Sequence, residues 1–160
     1  MKTRYGLEIR AAISTDAQGL CDLLHGAGQE MSSRALAERL DAIRLDAGAA
    51  LIAAEWGPPT GLILLHWYRT LAADQPIAQI TTLLVAPDER RRGIGRLLVK
   101  AAAQAARVAG CGGLELLSAA DEEALHDFCR ATGFTSVGPR FMRPLRKRGR
   151  RSHDARAAPA

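Results

Sequence analysis

The sequence has little of several things, and each shortage closes off a class of protein. Its longest purely apolar run, around 49–54, is far shorter than the roughly 18 residues that would suggest a membrane span. Residues 1–6 lead into charged positions without the apolar core of a signal peptide. There are three cysteines, Cys21, Cys111 and Cys129, an odd number with no C-x-x-C spacing. A disulfide framework and a zinc site are therefore not expected, and no metal is. Reduced thiols agree with a cytoplasmic address, which is the location expected. Internal repeats are absent, and no linker precedes residue 146.

Charge is also scarcer than the total suggests. The formal net charge is +5, but residues 146–160 carry Arg146, Lys147, Arg148, Arg150, Arg151 and Arg156 against Asp154 alone. The whole excess sits there, and residues 1–145 are formally neutral. A basic segment of this kind can touch nucleic acid. It has no interleaved aromatic residues to stack on bases, so a solvated tail is the favoured reading and a nucleic-acid partner is not expected. What remains is ordinary for a globular protein: 48% apolar and 24% charged residues in a chain of one-domain length. The expected organisation is one domain over 1–145 and a basic tail over 146–160.

Periodicity then supplies an order of elements. A short alternating strand is expected over 8–13. Ser14-Thr15-Asp16 offers cap chemistry for a helix over 17–25, with Leu20, Leu23 and Leu24 on one face. Ser32-Ser33 precedes a second helix carried by Leu36, Leu40 and Ile43, which Gly48 ends. Strands are expected over 49–55, 62–69 and 77–85, the first two forming a hairpin around Gly57-Pro58-Pro59-Thr60-Gly61. A helix over 96–109, a strand over 114–117, a helix over 122–131 and an extended arm over 134–145 complete the chain. The fold class is α/β (α+β), with order β-α-α-β-β-β-α-β-α-β and a mixed sheet of about six to seven strands. The passage from Ile80 to Leu117 implies a parallel pairing.

The chemistry concentrates where the third consecutive strand runs through Arg90-Arg91-Arg92-Gly93-Ile94-Gly95-Arg96 into a helix. The first amides of a helix have no internal partner and sit at the positive end of its dipole. They form an anion site that needs no side chain. Gly93 and Gly95 remove Cβ atoms, so that a phosphate approaches the backbone closely. Arg90, Arg91, Arg92 and Arg96 surround the turn with positive charge, as a polyphosphate requires. The dinucleotide fingerprint does not fit, because its third glycine is missing. A P-loop does not fit either, because no G-K-[ST] follows.

Arg90-Arg91-Arg92-Gly93-Ile94-Gly95 resembles the [QR]-x-x-G-x-[GA] acetyl-CoA motif of the GNAT superfamily of N-acetyltransferases. Leu83-Leu84-Val85-Ala86-Pro87 resembles the L-x-V-x-P strand end of that family, and His126 to Phe134 resembles its late H-x-F-Y-x-x-x-G-F segment. The resemblance covers about residues 7–145. It implies that the strand before the turn splays from its neighbour and that Leu83 and Val85, with Leu84 between them, hold the pantetheine arm of acetyl-CoA through main-chain atoms. It also implies pyrophosphate contacts at the amides of Arg91 to Arg96, and it allows a homodimer.

Acetyl transfer to an amine poses two proton problems: the amine must lose a proton and the departing thiolate must gain one. In the family a carboxylate on the strand before the turn often serves the first. Here that stretch reads Gln79-Ile80-Thr81-Thr82, and Thr81 stands as a candidate in its place. A tyrosine before the late G-F often serves the second, and here the position is Cys129. A small buried core cysteine is at least as good a reading of that position. The asparagine often found after the fifth strand is absent, with Ala119 after Ser118. His66 and Tyr68, two apart on one strand face, form a further acceptor-side candidate pair, His66 as base. The expected function is acetyl-CoA-dependent transfer to an amine of a small molecule or peptide, by direct attack in a ternary complex. The three departures keep open an acyl-CoA-binding or regulatory module without catalysis. The loops over 26–33 and 70–76 are expected to decide the acceptor.

Overall fold

The computed structural model describes residues 6–117, 122–138, 141 and 143. Five strands form one sheet in chain order: β1 (Glu8–Ala11), β2 (Gly48–Ala54), β3 (Gly61–Tyr68), β4 (Ile77–Val85) and β5 (Gly113–Leu116). The first four pair antiparallel, and β4 and β5 pair parallel. The parallel step requires a crossover, and α3 (Ile94–Val108) supplies it.

Alternation along the strands makes two apolar faces. Ile63 and Leu65 of β3 with Ala78 and Ile80 of β4 meet Ile94, Leu98, Val99 and Ala102 of α3 on one side. Ile52 and Leu62 meet Leu20, Leu23 and Leu24 of α1 (Ala17–Gly26) and Leu36 and Leu40 of α2 (Ser33–Leu45) on the other. The fully buried Leu20, Ile52, Leu62, Ile63, Leu65, Ile80, Ile94 and Leu98 each contribute about 1.5–3 kcal/mol by leaving water. Ser32 caps α2 by accepting from the Ala35 amide at 3.2 Å. The last helix, α4 (Glu123–Ala131), lays Phe128 against the α3 face.

Three expectations need correction. The sheet has five strands among the described residues, not six to seven. The expected arm over 134–145 has no strand at 134–138, and the rest of it lies largely outside the described residues. Gly48 does not end α2, which stops at Leu45; it opens β2. A Cβ there would stand 2.9 Å from the Leu65 carbonyl oxygen and 3.1 Å from His66 Nδ1, so close strand packing selects the glycine. The tail over 146–160 and the Ser118-Ala119 position lie outside the described residues.

Candidate active site

β4 forks away from β5. Their register runs Ile77↔Gly113, Ala78↔Leu114, Gln79↔Glu115 and Ile80↔Leu116, and the Leu117 amide donates to the Ile80 carbonyl at 3.4 Å. Beyond that point, among the described residues, 82–85 is paired with β3 alone.

A bulge sets which atoms face the fork. Leu65 pairs with Ile80 and Leu64 with Thr82, so Thr81 is an extra residue without a partner in β3. Before it, Ala78 and Ile80 face α3; after it, Leu83 and Val85 do, while Leu84 and Ala86 join the α1–α2 side. Strict alternation would have put Thr82 and Leu84 on the α3 face. The same shift acts on the main chain. The Ala86 amide donates to the Thr60 carbonyl at 2.8 Å, toward β3. Main-chain groups alternate sides, so Leu84 also faces β3 while Leu83 and Val85 direct theirs into the fork.

A short 3-10 turn (Pro87–Glu89) then leads into the basic segment. Arg91, at φ 63°, and Gly93, at φ 79°, both adopt left-handed backbone, which is uncommon for an arginine. The first bond within α3 runs from the Leu97 amide to the Gly93 carbonyl, and no side chain caps the helix. Ile94, Gly95 and Arg96 thus donate their amides to no hydrogen bond among the described residues. A Cβ on Gly93 would meet nothing within 4 Å, so the left-handed φ and not crowding selects the glycine. Gly95 has another reason: its Cβ would stand 3.2 Å from the Phe128 ring. Its smallness seats α4 against the helix start, where close phosphate approach was the expected cause.

The four arginines are not equivalent. Arg92 pairs with Glu89 and, at 3.0 Å, with Glu55. Arg96 donates to the Ala131 carbonyl of α4 at 3.3 Å. Arg90 and Arg91 are exposed and carry no ion pair among the described residues.

The side-chain candidates lie elsewhere. Thr81 is exposed at the bulge. Cys129 is on α4, and burial pushes its thiol above the ordinary value. His66, on the α1–α2 side of β3, pairs in register with Gly48 and Gln79. Since Gln79 pairs with Glu115, His66, Gln79 and Glu115 form one polar row across three strands. The Tyr68 hydroxyl donates to Glu115 Oε2 at 3.0 Å, and Gln79 Nε2 lies 3.4 Å from the same oxygen. Burial first, then this bond to Glu115, raises the Tyr68 phenol above its usual value. Glu115 escaped the sequence reading; its signal was a lone acid inside Leu114-Glu115-Leu116, significant only once the register with β4 is known. On the same side, an open hollow of about 530 Å³ is lined by Cys21, Asp22, His25, Glu30, Met31 and Ser32. Among the described residues no group of acids, histidines and cysteines is arranged to hold a metal, and no helix is long and apolar enough to cross a membrane.

The model of the acetyltransferase (GNAT) family matches residues 17–134. No curated protein sequence matches the chain significantly. Among solved structures, a putative acetyltransferase from Agrobacterium tumefaciens is 26% identical, with TM-score 0.77, over 86% of this chain and 99% of its own. An acetyltransferase from Trypanosoma brucei is 23% identical, with TM-score 0.75, over 87% and 99%. The aminoglycoside N-acetyltransferase AAC(6')-Iy, solved in complex with CoA, is 19% identical, with TM-score 0.77, over 88% and 95%.

Proposed function

Since the chain belongs to the GNAT acetyltransferase family, we propose that it transfers the acetyl group of acetyl-CoA to a primary amine of a small molecule or peptide. The observation that carries this reading is the fork with its adjoining turn. Leu83 and Val85 offer main-chain donors and acceptors to an extended amide-bearing arm. Beyond the short turn, the unpaired amides after Gly93 offer a dipole-assisted anion site for a pyrophosphate. Arg90 and Arg91 are the free cations there, while Arg92 and Arg96 are held by protein partners and contribute through their amides.

Acetyl-CoA would supply an activated thioester, and the chain supplies position and polarity. The Leu83 amide, directed into the fork, is placed to donate to the thioester carbonyl as its oxygen gains charge. Direct attack then needs only an acceptor held at the mouth of the fork. Asp22 and Glu30 give the hollow beside the α1–α2 loop an acidic lining, which suits a cationic acceptor. Cys129, half-buried on α4, contributes packing there.

The test measures free thiol released from acetyl-CoA with and without sisomicin, spermidine and a short peptide with a free N-terminus. Acceptor-dependent release is expected. Tight acetyl-CoA binding with no acceleration by any amine would leave the chain as a binding module without catalysis.

A further inference from the structure

We propose that Glu115, on β5, takes the proton of the acceptor amine, in place of any group on β4, with Tyr68 and Gln79 as its positioning residues. The proposal rests on the acetyl-transfer reading above. Between Gln79 and Thr82, β4 has no acid, yet the register sets Glu115 directly beside Gln79. The carboxylate is half-buried on the α1–α2 side, one residue pair before the fork opens. Two neutral donors, the Tyr68 hydroxyl and the Gln79 amide, converge on one of its oxygens, Oε2. Among the described residues no lysine or arginine pairs with it. A half-buried carboxylate without a cation is suited to an incoming ammonium group.

Among the described residues, the strands beside it bring two titratable groups to its face. Tyr68 and His66 come from β3, Gln79 beside them from β4 is neutral, and Leu114 and Leu116 flank it on β5. Leu83 is four residues beyond Gln79, about 13 Å at full extension and less across the bulge. That span leaves room for the amine and one relaying water between carboxylate and thioester.

The step balances. The acceptor ammonium gives one proton to Glu115 and becomes a free amine. Its nitrogen forms the bond to the acetyl carbon, the carbon–sulfur bond breaks, and sulfur leaves with the electron pair. The nitrogen gives up a second proton and the thiolate takes one from solvent. The products are the amide, coenzyme A thiol and one released proton.

Glu115→Gln keeps the shape and an acceptor for Tyr68 but cannot take a proton. With whichever amine of the panel turns over, kcat/KM near neutral pH should fall about 100-fold. Only acceptor already deprotonated in solution would then react, so log kcat/KM should climb with unit slope toward the amine's own pKa and the deficit should shrink. Acetyl-CoA affinity should stay within about twofold, because the cradle is elsewhere. Tyr68→Phe should cost roughly tenfold or less and keep the wild-type pH profile. A readout without coenzyme tests the pairing itself. The chain has only Tyr5 and Tyr68, so phenolate absorbance can follow Tyr68, which should ionise at lower pH in Glu115→Gln.

An unchanged pH profile and rate in Glu115→Gln, with a wild type that turns over, would overturn the inference and leave acetyl transfer standing. A loss equal at every pH, accompanied by weakened acetyl-CoA binding, overturns it too, since that is a structural effect. A Tyr68 titration that does not move refutes the pairing. A wild type that no amine accelerates refutes the acetyl-transfer reading and this role with it.

Discussion

Residues 77–80 of β4 are paired with a strand on each side, whereas among the described residues 82–85 are paired on one side only. The first half presents side chains: Gln79 stands in a row with His66 and Glu115. The second half presents main chain: Leu83 and Val85 turn their amides and carbonyls into the fork. A ligand held by main chain tolerates many side chains, so that half needs only the turn, the glycine and the helix start that follow. Chemistry done by side chains needs three strands in correct register, and its residues are scattered over the chain.

The Thr81 bulge divides the two halves, and removing it is the largest perturbation. Deleting Thr81 makes Ile80–Leu65 and Thr82–Leu64 consecutive pairs of a regular ladder and leaves Leu83 and Val85 on the α3 face, so the core is kept and what goes is the bend and added twist that a bulge gives. Unfolding stability in denaturant should change by about 1 kcal/mol or less, while acetyl transfer should slow about 100-fold as the main-chain groups of the fork are re-aimed. A variant with wild-type turnover would show that the two halves do not depend on the bulge.

Gly93→Val attacks the cradle alone. A β-branched residue at φ 79° is strained by about 1–3 kcal/mol, and relief moves the amides that follow. Acetyl-CoA affinity, measured by calorimetry, should fall tenfold or more while Tyr68 titrates as in the wild type. A matched loss in both readouts would contradict the separation of the two halves.

Cys129 lies outside both. Cys129→Ala should retain most of the turnover, and Cys129→Tyr should lose about 1–3 kcal/mol of stability from overfilling. A Cys129→Ala enzyme that binds acetyl-CoA normally and has lost most of its rate would make Cys129 the acid.

The smallest effect belongs to the ion pair between β1 and the turn that precedes α1, away from β4. Arg10 donates twice to Asp16, at 2.7 and 2.8 Å, and this bond holds the Asp16 carboxyl below the ordinary range against the opposing effect of burial. A depressed folded pKa stabilises above the unfolded value, near 3.9, and the gain is lost as pH falls through the folded value. Arg10 is 36% exposed, so solvent screening limits the contribution to about 1 kcal/mol or less. Arg10→Ala should lower stability by that amount at neutral pH, and the difference from wild type should vanish in strong acid.

Much of this was readable in the sequence. The bounds of β4 matched residue for residue, because Pro87 stops a strand that Pro76 precedes. The helix after Gly93 was marked by Leu97, Leu98, Ala101 and Ala105, and it began two residues earlier than periodicity suggested. The bulge was invisible, since Ile80-Thr81-Thr82-Leu83 reads as one extended run and only pairing exposes the extra residue. Glu115 was passed over for a related reason: its neighbours are set by a parallel register that no local pattern encodes. The role of Gly95 depended on Phe128, more than thirty positions away.

The fork has a consequence for the protein on its own. A strand with unsatisfied donors and acceptors along one side is a template for β-addition by any extended chain, including that of a second copy. Thr81 to Val85 is apolar apart from its two threonines and contains no charge or proline to discourage such pairing. An extended pantetheine arm in the fork would satisfy these groups, so the coenzyme would act there as a gatekeeper against self-association as well as an acetyl carrier.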